Sequence, residues 1–138
     1  EFYDDERKYY DQIKSYKIQN KVKIFDSFQS KEDLRDLFCA SKIVVLPYKS
    51  ASQSGITPLA YKYLRPLVIT DLPGLSNQIL EDKTGVICEI NSNSIADGIK
   101  KALESKNYIK MKNQISLKSK SYTWESFSLK AMNFLKKY

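Results

Sequence analysis

Apolar and polar positions change period near the middle of the chain. Ile43-Val44-Val45-Leu46 is a continuous apolar run with three β-branched residues, closed by Pro47. A short run with a breaker behind it predicts a buried strand. A polar loop follows, Ser50-Ala51-Ser52-Gln53-Ser54-Gly55. From about Thr57 to Leu64 the pattern is helical, with Pro58 in the first turn, where a missing N–H costs little. Pro66 stops that helix, because Arg65 before it is pushed toward extended geometry. Leu67-Val68-Ile69-Thr70 is a second apolar strand, and Asp71-Leu72-Pro73-Gly74 is its exit loop. Strand, loop, helix and strand within about thirty residues make a βαβ unit, so the two strands are expected to be parallel neighbours. The loop lies at the carboxyl end of the first strand and feeds a helix N-terminus. Open α/β sheets bind anionic ligands at that position.

The flanking segments follow the same logic. Tyr9, Ile13 and Tyr16 are spaced for one face of a helix within residues 1–16. Val22 to Phe28 alternates weakly and predicts a strand, with Val22–Phe25 beside the two central strands. Ser30 before Glu32-Asp33 predicts an N-cap with first-turn acids, and Leu34, Leu37 and Phe38 a helix face ending near Ser41. A short helix is expected from Gly74 to Leu80, a turn at Asp82 to Gly85 and a parallel strand at Val86–Cys88. The Asn91-Ser92-Asn93 cluster predicts a cap ahead of Ile95, Ile99 and Leu103 at four-residue spacing. Asn107 to Lys118 is expected to be helical with Ile109, Ile115 and Leu117 as anchors. Thr123 is expected to cap a last helix carrying Trp124, Phe127, Leu129, Met132, Phe134 and Leu135, with Trp124 packed as core. Strands followed by helices predict an α/β fold, a Rossmann-like doubly wound parallel sheet with helices on both faces. Such sheets ordinarily hold five or six strands. The chain opens inside a charged helical pattern, so one or two N-terminal strands are expected to be missing. Residues 1–138 read as a single domain, a fragment of a longer protein. There is no repeat, no GxGxxG and no P-loop.

Composition narrows the chemistry. The 138 residues carry 23 Lys+Arg against 16 Asp+Glu, a net charge of +7. The lysines are spread without a block of five, which points to a solvated basic surface and away from nucleic acid. An anionic inner membrane surface remains a candidate partner. With no His, Ser-His-Asp and Cys-His catalysis within the chain are excluded. A zinc site is disfavoured and no cofactor is expected. Cys39 and Cys88 lie in apolar surroundings outside any CxxC and read as reduced core thiols, consistent with a cytoplasmic protein, peripheral at most to the inner face of a membrane.

An ordered set of segments carries a resemblance. Residues 36–48, with Leu37, Ala40, Ile43-Val44-Val45-Leu46 and Pro47-Tyr48, resemble the "lyr-x-AD-vvvlPy" run of retaining glycosyltransferases of family 4, which pair two Rossmann-like domains in the GT-B fold. Arg65-Pro66-Leu67-Val68-Ile69 resembles the family's G-x-P-V-I after a helix. Leu72-Pro73-Gly74-Leu75 with Asp82-Lys83-Thr84-Gly85-Val86-Ile87 is similar to "vpGlpe-i-dgktGllv", and Tyr122-Thr123-Trp124-Glu125 to "ysWe".

The resemblance implies the C-terminal, nucleotide-sugar-binding domain of such an enzyme. It would transfer a sugar to a glycan or lipid-linked acceptor in cell-surface polysaccharide synthesis. Its partners would be the nucleotide-sugar donor and an N-terminal acceptor domain, and this stretch alone is expected to be inactive. The implied donor diphosphate lies against the amides of Ser54, Gly55 and Ile56. The same place follows from unpaired amides at a helix start. Phe28, in the loop after the expected first strand, falls where the family's backbone reads the base, and Tyr48 where the nucleotide pocket is lined. The family commonly carries two glutamates eight residues apart here; this chain has Ser52 and Ala60. Ser52 can still bond a sugar hydroxyl, but Ala60 cannot hold a ribose, which leaves that contact to Tyr61, Gln53 or a residue upstream. No catalytic residue is assigned. The alternative is a non-catalytic nucleotide- or phosphate-binding α/β module.

Overall fold

A computed structural model describes residues 5–120 and 123–136. It divides into two compact units, residues up to Asp36 and residues from Leu37 onward. In the first unit, helix α1 (Arg7–Ser15) ends in Lys17 at φ 52°, with the Ile18 amide returning to the Ile13 carbonyl at 3.1 Å. The expected strand at Val22–Phe28 does not form. Val22 and Phe25 are each about two-fifths exposed (40% and 44%) and Phe28 is 98% exposed. A weak alternation without a ladder partner buries too little to hold an extended segment in register. Helix α2 (Lys31–Ala40) begins as expected: the Ser30 hydroxyl accepts from the Asp33 amide at 3.0 Å and donates to the Asp33 carboxylate at 2.6 Å. The boundary between the units falls within α2.

The second unit is the α/β sandwich. Strands β1 (Val44–Leu46), β2 (Leu67–Thr70) and β3 (Gly85–Cys88) lie side by side in that order, all parallel. Val44 sits opposite Leu67, and Leu67 opposite Gly85. Successive side chains of the fully buried β2 alternate between two cores. Leu67 and Ile69 join Phe38, Leu46, Ala60, Tyr61, Leu75, Ile79 and Ile115 on one face; Val68 joins Cys88, Ala102 and Met111 on the other. This period-two division makes the sheet doubly wound. Each fully buried aliphatic side chain is worth about 1.5–3 kcal/mol.

Helix α3 (Ile56–Lys62) crosses from β1 to β2. It stops through a left-handed Leu64 (φ 55°), whose amide bonds the Tyr61 carbonyl while the Arg65 amide reaches Ala60 at 2.8 Å. This double return is the glycine-type helix stop made without glycine. Helix α4 (Pro73–Asp82) starts on Pro73 and ends the same way at Lys83, φ 56°. Helix α5 (Ser92–Leu103) is capped by Asn91, whose side chain accepts from the Ser94 amide at 2.8 Å. Its inner face is centred on the buried Gly98 and Ala102, with Leu103 exposed at its margin.

In helix α6 (Ser105–Ser119) the buried anchors are Met111 and Ile115. The expected Ile109 and Leu117 are exposed, because they lie roughly opposite Ile115 at 100° per residue. Helix α7 (Trp124–Leu135) is capped by Thr123, which accepts from the Ser126 amide at 3.2 Å. Its Phe127, Leu129, Met132, Phe134 and Leu135 are each more than half exposed. Tyr122 and the side chain of Trp124, with its expected core role, lie outside the described residues. Among the described residues no helix is long and apolar enough to cross a membrane.

Candidate functional site

The loop from Tyr48 to Gly55 leaves the carboxyl end of β1 and enters α3. Two contacts to later chain fix its course. The Thr70 hydroxyl, at the end of β2, donates to the Tyr48 carbonyl. Gly74, in the first turn of α4, lies so close to Ser52 that a Cβ there would run into the Ser52 carbonyl. The start of α4 is thereby packed against the loop that starts α3. Thr70 and Gly74 were not singled out as site residues from sequence, although a polar residue closing an apolar strand and a glycine directly after Pro73 are signals of that kind.

Within the loop, Ser54 organises the helix start. Its hydroxyl lies 3.2 Å from the Tyr48 hydroxyl and accepts from the Ile56 amide at 3.2 Å, and its carbonyl accepts from the Thr57 amide at 3.3 Å. Ser54 therefore caps the first turn, as short hydroxyl side chains do. The Ile56 amide is engaged in that cap. Among the described residues the amides of Ser54 and Gly55 have no protein acceptor. Gly55 takes an ordinary helical conformation (φ −65°, ψ −15°), and a Cβ built on it meets nothing within 4 Å. Glycine at 55 therefore relieves no backbone strain, and the space on its Cβ side is open. Ser52 and Gln53 are exposed beside it.

The remaining expected positions divide. Ala60 is fully buried (0% exposed) on the core side of α3, so an acid there could not reach a ribose. Tyr61 is also turned inward: its hydroxyl donates to the Asp82 carboxylate at 3.1 Å and pairs with the Thr84 hydroxyl, while Asp82 meets Lys118 at 3.0 Å. The ribose contact considered for Tyr61 is thus excluded by its place in a buried polar network. Phe28 belongs to the first unit, where it projects into solvent. No group of three potential metal ligands lies together among the described residues.

The parallel α/β sheet thus carries, at its carboxyl edge, a loop with an exposed glycine. The profile of the family described as "Glycosyl transferases group 1" matches residues 3–122. The chain belongs to the group 1 glycosyltransferases. Comparison with curated proteins gives no match.

Proposed function

We propose that this chain supplies the donor-binding half of a retaining, two-domain glycosyltransferase of family 4 type, acting in cell-surface polysaccharide synthesis with a glycan or lipid-linked acceptor. The donor diphosphate rests on the amides of Ser54 and Gly55, with the Ile56 amide shared with the Ser54 hydroxyl. Ser52 and Gln53 are exposed beside the loop as candidates for sugar hydroxyls, and Tyr48 orders the loop through Ser54. The observation that carries this reading is the pair of unpartnered amides at the start of α3. Exposed amides that face an anion gain charge-assisted bonds. Helix α3 is only 7 residues long, so the donors themselves carry the site more than its dipole does.

In this arrangement the chain binds and orients. A fixed diphosphate and anchored sugar hydroxyls would hold the anomeric carbon for a second domain that brings the acceptor, and positioning of that kind is a large part of transfer catalysis. The experiment is Gly55→Val with a panel of uridine and guanosine diphosphate sugars. A Cβ at 55 meets nothing within 4 Å, so the variant is expected to fold, which circular dichroism checks. Donor affinity is expected to drop about tenfold or more, which is about 1.4 kcal/mol. Undiminished affinity in a folded variant removes the loop as the donor site. A non-catalytic phosphate-binding module is favoured by one observation, the buried Ala60 where the family carries an acid. Donor binding without turnover by the whole protein would select it.

A further inference from the structure

On the opposite, amino-terminal edge of the sheet, where α4 ends and β3 begins, a cleft of about 230 Å³ opens between α4, α5 and α6. Its floor is apolar: Ile79 and Met111 are buried and Val86 half-buried, and Leu80 stands beside them 60% exposed. Its rim carries Lys83, Lys101 and Lys110, and no acid lines it. Lys100 pairs with Asp97 and Lys118 with Asp82, each at 3.0 Å. Among the described residues the three rim lysines, like most lysines of the chain, have no ion pair, and what sets them apart is that they converge on one apolar cleft. Asn107, also at the rim, is occupied internally, donating to the Lys101 carbonyl and the Glu104 carboxylate.

Helix-end electrostatics explains part of this. Lys83 follows α4 and Lys101 lies in the last turn of α5, where cations meet the negative helix end. It does not explain Lys110, in the amino-terminal half of α6, nor an exposed leucine between lysines. We propose that this cleft binds an amphipathic phosphate, its anionic head among Lys83, Lys101 and Lys110 and its first carbons on Leu80, Val86 and Met111. At about 30 Å³ per water the space holds on the order of eight water-sized groups, enough for a phosphate and a short alkyl segment. Lysine ammonium groups are suited to phosphate as point charges with three donors each. The site is separate from the donor loop, and nucleotide sugars are not expected to compete for it.

The same chemistry exists as a free alkyl phosphate and as a phospholipid head in a bilayer, and the test separates them. Octyl phosphate, inorganic phosphate and octanol are titrated into the protein and followed by amide shifts at Leu80, Gly85 and Lys110. Octyl phosphate is expected to saturate these shifts about tenfold or more tighter than either fragment. Lys101→Glu with Lys110→Glu should weaken it about tenfold or more, the loss of a charge-assisted bond. Lys14→Glu with Lys21→Glu, the same change in net charge, should leave it within about twofold. Lys101→Gln with Lys110→Gln serves if the first pair does not fold. Equal losses in the cleft and control variants, or inorganic phosphate binding as tightly as octyl phosphate, overturn the site. Co-sedimentation with mixed phosphatidylglycerol and phosphatidylcholine vesicles supplies the bilayer arm. Vesicle binding that only the cleft variants lose assigns the head to a membrane lipid. Vesicle binding absent beside saturable octyl phosphate assigns it to a free ligand.

Discussion

Val44–Leu46 and Val22–Phe25 are both short apolar segments followed by polar loops, yet only the first is a strand. Val44–Leu46 lies against β2 residue for residue and its Leu46 is 6% exposed, whereas Val22 and Phe25 have no ladder partner and stay 40% and 44% exposed. A three-residue strand survives because a fully buried neighbour pairs with it and helices cover both faces. The apolar run proposes a strand; the partner across the ladder decides it. The sharpest way to break this contrast is to charge both regions. Ala60→Glu places a carboxylate at a position with no exposure beneath β1 and β2. It is expected to cost about 3–5 kcal/mol, the range for an uncompensated buried charge. Phe28→Ser, at 98% exposure, is expected to change stability by less than about 0.5 kcal/mol, as exposed substitutions do. Chemical denaturation of both variants checks the pair. A mild Ala60→Glu would mean that α3 can rotate that position outward, which would return Ala60 to the donor side.

A smaller effect separates two glycines of the donor loop region. Gly74→Ala drives a methyl into the Ser52 carbonyl, so either α4 or the loop must move. Overpacking of that kind costs about 1–3 kcal/mol. Gly55→Ala meets open space in a helical conformation and is expected to be neutral or stabilising by up to about 1 kcal/mol. Thermal unfolding ranks them. If Gly74→Ala is as well tolerated as Gly55→Ala, the loop is not pinned to α4, and the arrangement of the Ser54 and Gly55 amides is looser than it stands here.

The legible part of the molecule is the part governed by local rules. The parallel pairing of β1, β2 and β3, the Ser30, Asn91 and Thr123 caps and the halt before Pro66 all follow from side-chain types at fixed offsets. The doubly wound class follows from the same alternation that sends Leu67 and Val68 to opposite cores. The strand at Val22–Phe28 was misread because it needed a partner that no local pattern specifies. Of the expected α6 anchors Ile115 is buried, whereas Ile109 and Leu117 are exposed and Met111 takes the inner face, because the rotation of α6 against its neighbours and not apolarity alone decides which positions are covered. At the site, the loop and its glycine were legible from their place after a strand. The inward turn of Ala60 and Tyr61 was not, since it depends on the rotation of α3 about its own axis, which Asp82 and Thr84 fix from far along the chain.

The smallest effect tests whether the two units obey the same local rule. Lys17 after α1 and Lys83 after α4 both sit in the left-handed region, at φ 52° and 56°, and both allow the next amide to reach back five residues, Ile18 to Ile13 and Thr84 to Ile79. A non-glycine residue in that conformation costs roughly 1–2 kcal/mol, because its Cβ crowds the following carbonyl oxygen. Glycine removes that crowding, but it also gives the unfolded chain more freedom. The net gain expected for Lys17→Gly and for Lys83→Gly is therefore about 0.5–1 kcal/mol each. For Lys83→Gly the denaturation midpoint should rise, since Thr84 is fully buried and its return bond opens with the core. For Lys17→Gly the gain should appear as about two- to fivefold slower exchange of the Ile18 amide, the kinetic reading of the same free energy. Stabilisation at Lys83 with faster exchange at Ile18 would show that α1 does not end in this turn in solution. The helix stop would then be a property of the sheet-bearing unit alone, where a packed core holds it.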